Sequence, residues 1–230
     1  MKRRFLAVAM AGVLAAGGAV LVGTAGSAAT APNVTCKPGQ QLIGGTYNNV
    51  VVPSTDNGSN FCYIQGATIL GTLTVQSGGA VIVTGASTIN NITANGAGTG
   101  YDPYPFSVIM CGSTVNGTMS INGSNSAVVL GSDDAQLGCT PNTFNGRTNT
   151  VNDNRGGVEI SGNYVNGNLS VNDNSGHVAP AFDPDAVPNQ TTDVSNNSDS
   201  THKLTCVGNA PVVVSTGNTF ASYPGGQCGP

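Results

Sequence analysis

The chain has 230 residues, with 33 Gly, 12 Pro, no Trp and only 8% charged side chains, and its formal net charge is −4. That sparse, acidic balance excludes nucleic acid and anionic membrane surfaces as partners, since both recruit clustered Lys and Arg. Six Cys, an even number, suit an oxidising compartment.

The N-terminus reads Met1-Lys2-Arg3-Arg4, then an apolar run from Phe5 to Val22, then small residues up to Ala29. A basic start, an apolar centre and a small-residue zone make residues 1–29 a secretory signal peptide, cleaved after Ala29 or Ala28. The alternative is an uncleaved anchor, for which the run is short. Cleavage leaves 30–230 as one solenoid domain with four Lys/Arg against eleven Asp/Glu, a charge of about −7. No later apolar stretch is long enough to span a bilayer, so no stable membrane span remains. The expected localisation is extracellular or cell-wall associated.

Beyond the leader, a ten-residue phrase recurs. Gly112-Ser-Thr-Val-Asn-Gly-Thr-Met-Ser-Ile121 and Gly162-Asn-Tyr-Val-Asn-Gly-Asn-Leu-Ser-Val171 are two copies, with looser ones from Gly66 and Gly85. Gly66 to Gly85 is 19 residues, Gly112 to Gly131 is 19, and Val151-Asn-Asp-Asn returns at Val171 after 20. Each unit holds a β-rich triplet such as Val81-Ile82-Val83, a Gly corner, and an apolar-polar-apolar piece such as Leu73-Thr74-Val75. Strands this short stand only when stacked on the next copy, pairing in parallel and burying the apolar positions in a shared core. Gly and Asn supply the corners, as in the Asn-Gly pairs at 116–117, 145–146 and 166–167.

The pattern predicts an all-β chain, a single right-handed parallel β-helix of about seven short rungs with inserted loops. Its first rung, Ile43 to Val52, is degenerate, and the others start near Gly66, Gly85, Gly112, Gly131, Gly162 and Gly217. Insertions are expected near 95–107, 132–143 and 177–210. An all-β sandwich also has short strands and frequent turns, but it does not require a phrase to return in phase.

Six Cys allow many pairings. Order along the chain suggests Cys36–Cys62, Cys111–Cys139 and Cys206–Cys228, each tying one non-repetitive region.

Residues able to carry chemistry are few. Asn152-Asp153-Asn154 and Asn172-Asp173-Asn174 occupy one position on adjacent rungs. Asp153 and Asp173 are the candidate metal ligands, with calcium the only cofactor considered, since it takes oxygen donors. The competing reading is a ladder of stacked Asn amides with solvated turn carboxylates, since Asn95, Asn122, Asn152 and Asn172 all follow the last apolar residue of a rung. A catalytic face would use Asp153, Asp173, Glu159 and Arg155, with Arg147 nearby. Glu159 is the only Glu, and alternation points it outward. No catalytic residue is assigned. His177 and His202 fall in the last insertion without a Ser or Cys nucleophile pattern. Tyr101, Tyr104 and Phe106 form the densest aromatic cluster and are the candidate binding residues, for sugar rings or a protein partner.

The phrases Ile69-Leu-Gly-Thr-Leu-Thr-Val75, Val115-Asn-Gly-Thr-Met-Ser-Ile121 and Val165-Asn-Gly-Asn-Leu-Ser-Val171 resemble rungs of bactofilins and related polymer-forming β-helix proteins. That resemblance implies a compact right-handed parallel β-helix that assembles end to end as a scaffold without nucleotide. This chain departs from it in its leader, its six Cys and its insertions, and looks more like a secreted bacterial β-helix protein.

The functional expectation is a secreted, disulfide-stabilised solenoid with a structural, adhesive or carbohydrate-binding role at the cell envelope. Its partners would be cell-wall or extracellular polysaccharide or a surface protein. The alternatives are a polysaccharide lyase- or hydrolase-like enzyme, active or inactive, using the Asp-lined face, and a self-assembling surface scaffold.

Overall fold

The structure, a computed structural model, describes residues 30–54, 61–99, 106–132, 139–176 and 192–229. The leader, Tyr101, Tyr104 and His177 lie outside these residues. The described residues hold strands and no helix, so none is long and apolar enough to cross a membrane. All the strand pairs are parallel, as expected for a parallel β-solenoid.

Two strand stacks form the walls. The back sheet runs Gln41–Ile43, Cys62–Gln65, Val81–Thr84, Phe106–Met110, Ala127–Leu130, Val158–Ser161, Thr192–Ser195 and Val214–Thr216. The front sheet runs Val34–Thr35, Val50–Val52, Thr68–Val75, Thr88–Asn95, Met119–Asn122, Thr148–Asn152, Asn168–Asn172 and Leu204–Val207. Short strands at Thr46–Tyr47, Thr114–Val115, Thr143–Phe144 and Tyr164–Val165 extend the front sheet around one corner, joined by the first residues of Thr68–Val75 and Thr88–Asn95.

Alternation turns every second side chain into the core, and register stacks it in columns. One column is Leu42, Ile64, Val83, Met110, Leu130, Ile160 and Val194, all buried. Another is Ile69, Ile89, Val115, Phe144 and Val165. Each fully buried Leu, Ile or Val contributes about 1.5–3 kcal/mol of transfer free energy, so the columns supply the main driving force.

Corners are the second requirement. The crossings out of the back sheet pass through residues of positive φ: Gly44 with Gly45, Gly66, Gly85 with Ala86, Gly112, Gly131, Gly162, Asn196 and Gly217. Left-handed backbone is nearly free for Gly and tolerable for Asn, which is why the repeat is punctuated by Gly.

Just past these corners runs a buried amide ladder. Asn142 Nδ2 donates to Asn163 Oδ1 (3.0 Å), Asn163 Nδ2 to Asn197 Oδ1 (2.9 Å) and Asn197 Nδ2 to Asn218 Oδ1 (3.1 Å). Each oxygen also accepts the backbone N–H of the preceding rung, and each nitrogen also donates to a strand carbonyl: Met110, Leu130, Ile160 or Val194. A second ladder, at the crossing from front to back sheet, links Asn154, Asn174, Asn209 and Gln227. The expected ladder position, Asn152 and Asn172, is only partly used: Asn152 Oδ1 accepts the Asn172 N–H and Asn172 Oδ1 that of Val207. The fully bonded ladder is the second Asn of each Asn-Asp-Asn, because the residue between them turns the chain inward.

All three disulfides form as suggested, with Cα separations of 5.6, 4.9 and 5.4 Å for Cys36–Cys62, Cys111–Cys139 and Cys206–Cys228. Insertion boundaries need correction. Asn95 and Phe106 belong to strands, so the first insertion is shorter than 95–107, and Thr143 belongs to a strand bounding the second. Residues 192–207, expected within the 177–210 loop, contribute strands Thr192–Ser195 and Leu204–Val207 to the two sheets.

Candidate functional site

Asp153 and Asp173 are corner residues. Their φ values are 56° and 54°, the conformation Gly96, Gly123 and Gly208 adopt at the equivalent crossings. Both are exposed, and the Asp173 carboxylate lies over Gly208, where a side chain would collide with it. Asp tolerates left-handed backbone, which accounts for both residues as turn formers. Arg155 and Arg147 are also exposed. Among the described residues, no three His, Cys, Asp or Glu side chains gather in a group able to hold a metal ion.

Glu159 is elsewhere. Register places it on the outward column of the back sheet, between Val129 and Asp193, yet it is only 3% exposed. The outward orientation expected from alternation therefore does not bring solvent exposure, and the sequence gives no sign of this covering. The structure thus brings Glu159 beside Asp193 rather than beside Asp153 or Asp173. Phe106 packs against Phe61, with centroids 6.1 Å apart. It helps line an apolar cavity of about 200 Å³ with Ile82, Ile109, Val129 and the Cys111–Cys139 bridge.

The most developed polar site lies on the short-strand face and was not read from sequence. The pairing Tyr164–Ser198–Thr219 continues the short-strand stack beyond Tyr164–Val165. The next position therefore carries Val165, Asp199 and Phe220, so Asp199 falls in the column that otherwise holds Ile69, Ile89, Val115, Phe144 and Val165. A carboxylate there must be fully hydrogen-bonded, and it is. Asp199 Oδ1 accepts the backbone N–H and hydroxyl of Thr201 (2.8 and 2.9 Å) and the N–H of His202 (3.2 Å). Oδ2 accepts from His202 Nδ1 at 2.7 Å. The Asp199 side chain is 3% exposed and that of His202 39%.

Burial pushes the Asp199 carboxyl up, but the hydrogen bonds from Thr201 and His202 outweigh it and hold it below its ordinary value. A carboxyl with a depressed folded pKa stabilises the fold above its unfolded pKa, near 4, and loses that contribution as pH falls through the folded value. Urea unfolding from pH 7 to pH 2 is therefore expected to show Asp199→Asn less stable than the parent at neutral pH, with the gap closing below about pH 4. A gap constant across that range would remove this role for Asp199.

Around this turn, Tyr164, Asn166, Ser198, Asp199, Ser200, Thr201 and Thr219 line an open groove of about 340 Å³. Tyr164 is 58% exposed at its edge. The hydroxyl meeting the His202 ring, that of Thr201, lies 2.7 Å from Nδ1, the nitrogen that Asp199 holds. A hydrolytic triad instead sets nucleophile and orienter on opposite ring nitrogens, so the His202–Asp199 pair clamps a turn. The groove offers an aromatic ring, hydroxyls and an amide beside the Asp199 carboxylate, the chemistry of polar recognition.

The chain matches no family model, no curated protein and no solved structure. The bactofilin-like reading therefore rests on the rung phrases alone.

Proposed function

We propose that this is an extracellular, disulfide-stabilised solenoid with a structural and carbohydrate-binding role at the cell envelope. The observation that carries the binding part is Tyr164, a half-exposed ring in a groove of hydroxyl and amide groups that also includes the Asp199 carboxylate. Sugars present apolar ring faces and equatorial hydroxyls, and an aromatic flanked by neutral hydrogen-bonding groups meets both. The three disulfides support an oxidising, extracellular setting, and the stacked ladders suit a rigid scaffold.

The test is sedimentation of the oxidised protein with insoluble cell-wall and extracellular polysaccharides, followed by titration calorimetry on soluble fragments. Tyr164→Ala is expected to weaken binding about tenfold, the equivalent of roughly 1.4 kcal/mol. Unchanged affinity in that variant, or a parent that binds none of the polysaccharides, would overturn the proposal.

A further inference from the structure

The front sheet and its short-strand extension carry three outward columns with one chemistry. Register aligns Thr46, Thr68, Thr88, Thr114 and Thr143 in the first. The second includes Thr72 with Asn91, and Thr148 with Asn168. The third aligns Thr74, Thr93, Ser120, Thr150, Ser170 and Thr205. Apart from Thr46, Thr148 and Asn168, which are exposed, the named members of these columns are half-buried.

Composition alone does not produce this. The matching outward column of the back sheet reads Ile82, Ile109, Val129, Glu159 and Asp193. Hydroxyls are thus concentrated on one face. Short strands pass into front strands through tight turns such as Asn116-Gly117 and Asn166-Gly167. The named members carry no charge, and the first charged side chain in the second column is Lys203, which follows Asn168 toward the C-terminal end.

Backbone pairing fixes the array at about 4.8 Å from rung to rung and roughly 6.7 Å between alternate residues of a strand. Some hydroxyls are held as well: Asn122 Nδ2 donates to Ser120 Oγ at 2.8 Å and Asn172 Nδ2 to Ser170 Oγ at 2.7 Å. A ligand complementary to such a face is neutral, flat and periodic in two directions at these spacings. A glycan chain is periodic in one direction and seeks aromatic platforms, and the three columns contain none before Tyr164.

We propose that this face binds ice. Threonine presents a methyl and a hydroxyl at each lattice point, and across the rungs before Lys203 the uncharged columns spare the first water layer from being oriented around an ion. Water ordered over the columns then merges with the crystal surface and slows its growth. The Tyr164 groove adjoins the end of the first column, where Thr143 pairs with Tyr164, and the inference rests on the columns that precede it.

The experiment measures freezing hysteresis and inhibition of ice recrystallisation with the oxidised protein, alongside Thr93→Lys and Thr150→Lys. The parent is expected to hold a crystal without growth below its melting point and to keep ice grains small. Each Lys variant, shown to be folded by its spectrum and melting curve, is expected to need at least tenfold more protein for the same effect. A folded parent with neither effect overturns the proposal, whatever the variants do. Full activity in both Lys variants overturns the placement on this face.

Discussion

Asn163→Ala is expected to lower the unfolding free energy by about 3 kcal/mol or more. The side chain is 1% exposed and makes four hydrogen bonds. Its oxygen accepts from the backbone and side-chain nitrogens of Asn142, and its nitrogen donates to Leu130 O (2.7 Å) and Asn197 Oδ1. Removing it strands a buried carbonyl, a buried N–H and two neighbouring amides at once, and each unsatisfied group costs about 1–3 kcal/mol. Asn145→Ala is the control. Asn145 also stacks, donating to Asn116 and accepting from Asn166, but on an exposed turn where water replaces the lost bonds. Its expected cost is within about 0.5 kcal/mol. Denaturant midpoints at a common slope give both values, and equal losses in the two variants would show that the ladder's burial is irrelevant.

Replacing Cys36 and Cys62 together by Ser is expected to cost about 3.5 kcal/mol, the loop-closure value for a separation of 26 residues. For a domain of this size that lowers the melting temperature by roughly 7–14 °C. The bridge joins the first front strand region to the second back strand, and the strand it secures, Val34–Thr35, is only two residues long. Amide exchange in residues 33–52 is therefore expected to accelerate more than exchange in 146–172. A melting temperature within about 1 °C of the parent, or uniform acceleration along the chain, would contradict this account.

Much of this architecture can be read from residues directly. The phrase recurring at 19–20 residues sets which positions stack, and parallel pairing then follows from strands too short to stand alone. Cys order predicted the bridges because each pair flanks a non-repetitive region. What escaped was whatever depends on the register being known first. The strands at 192–207 hid inside an apparent loop because Asn196 replaces the corner Gly and Asp199 stands where other rungs place Ile, Val or Phe. Without that column, Asp199-Ser-Thr-His202 looks like solvated loop. The left-handed corner at Asp153 and Asp173 likewise explains why the buried ladder is two residues later than periodicity suggests: the strand ends facing outward, and only the next residue turns in.

The two halves of the solenoid are held by different means. From Asn142 onward, both crossings carry continuous amide ladders, closed at the far end by Gln227 and by the Cys206–Cys228 bridge. Toward the N-terminus the same corner column holds Ala67, Ser87 and Ser113, where Ser87 Oγ accepts the Ala67 N–H but donates back to Thr84 O, so no side-chain string continues from rung to rung. The molecule therefore has a direction of fraying. When the Cys36–Cys62 tie alone is removed, unravelling begins at the N-terminal rungs and stalls where the amide strings start, leaving a C-terminal remnant as the last structure to melt.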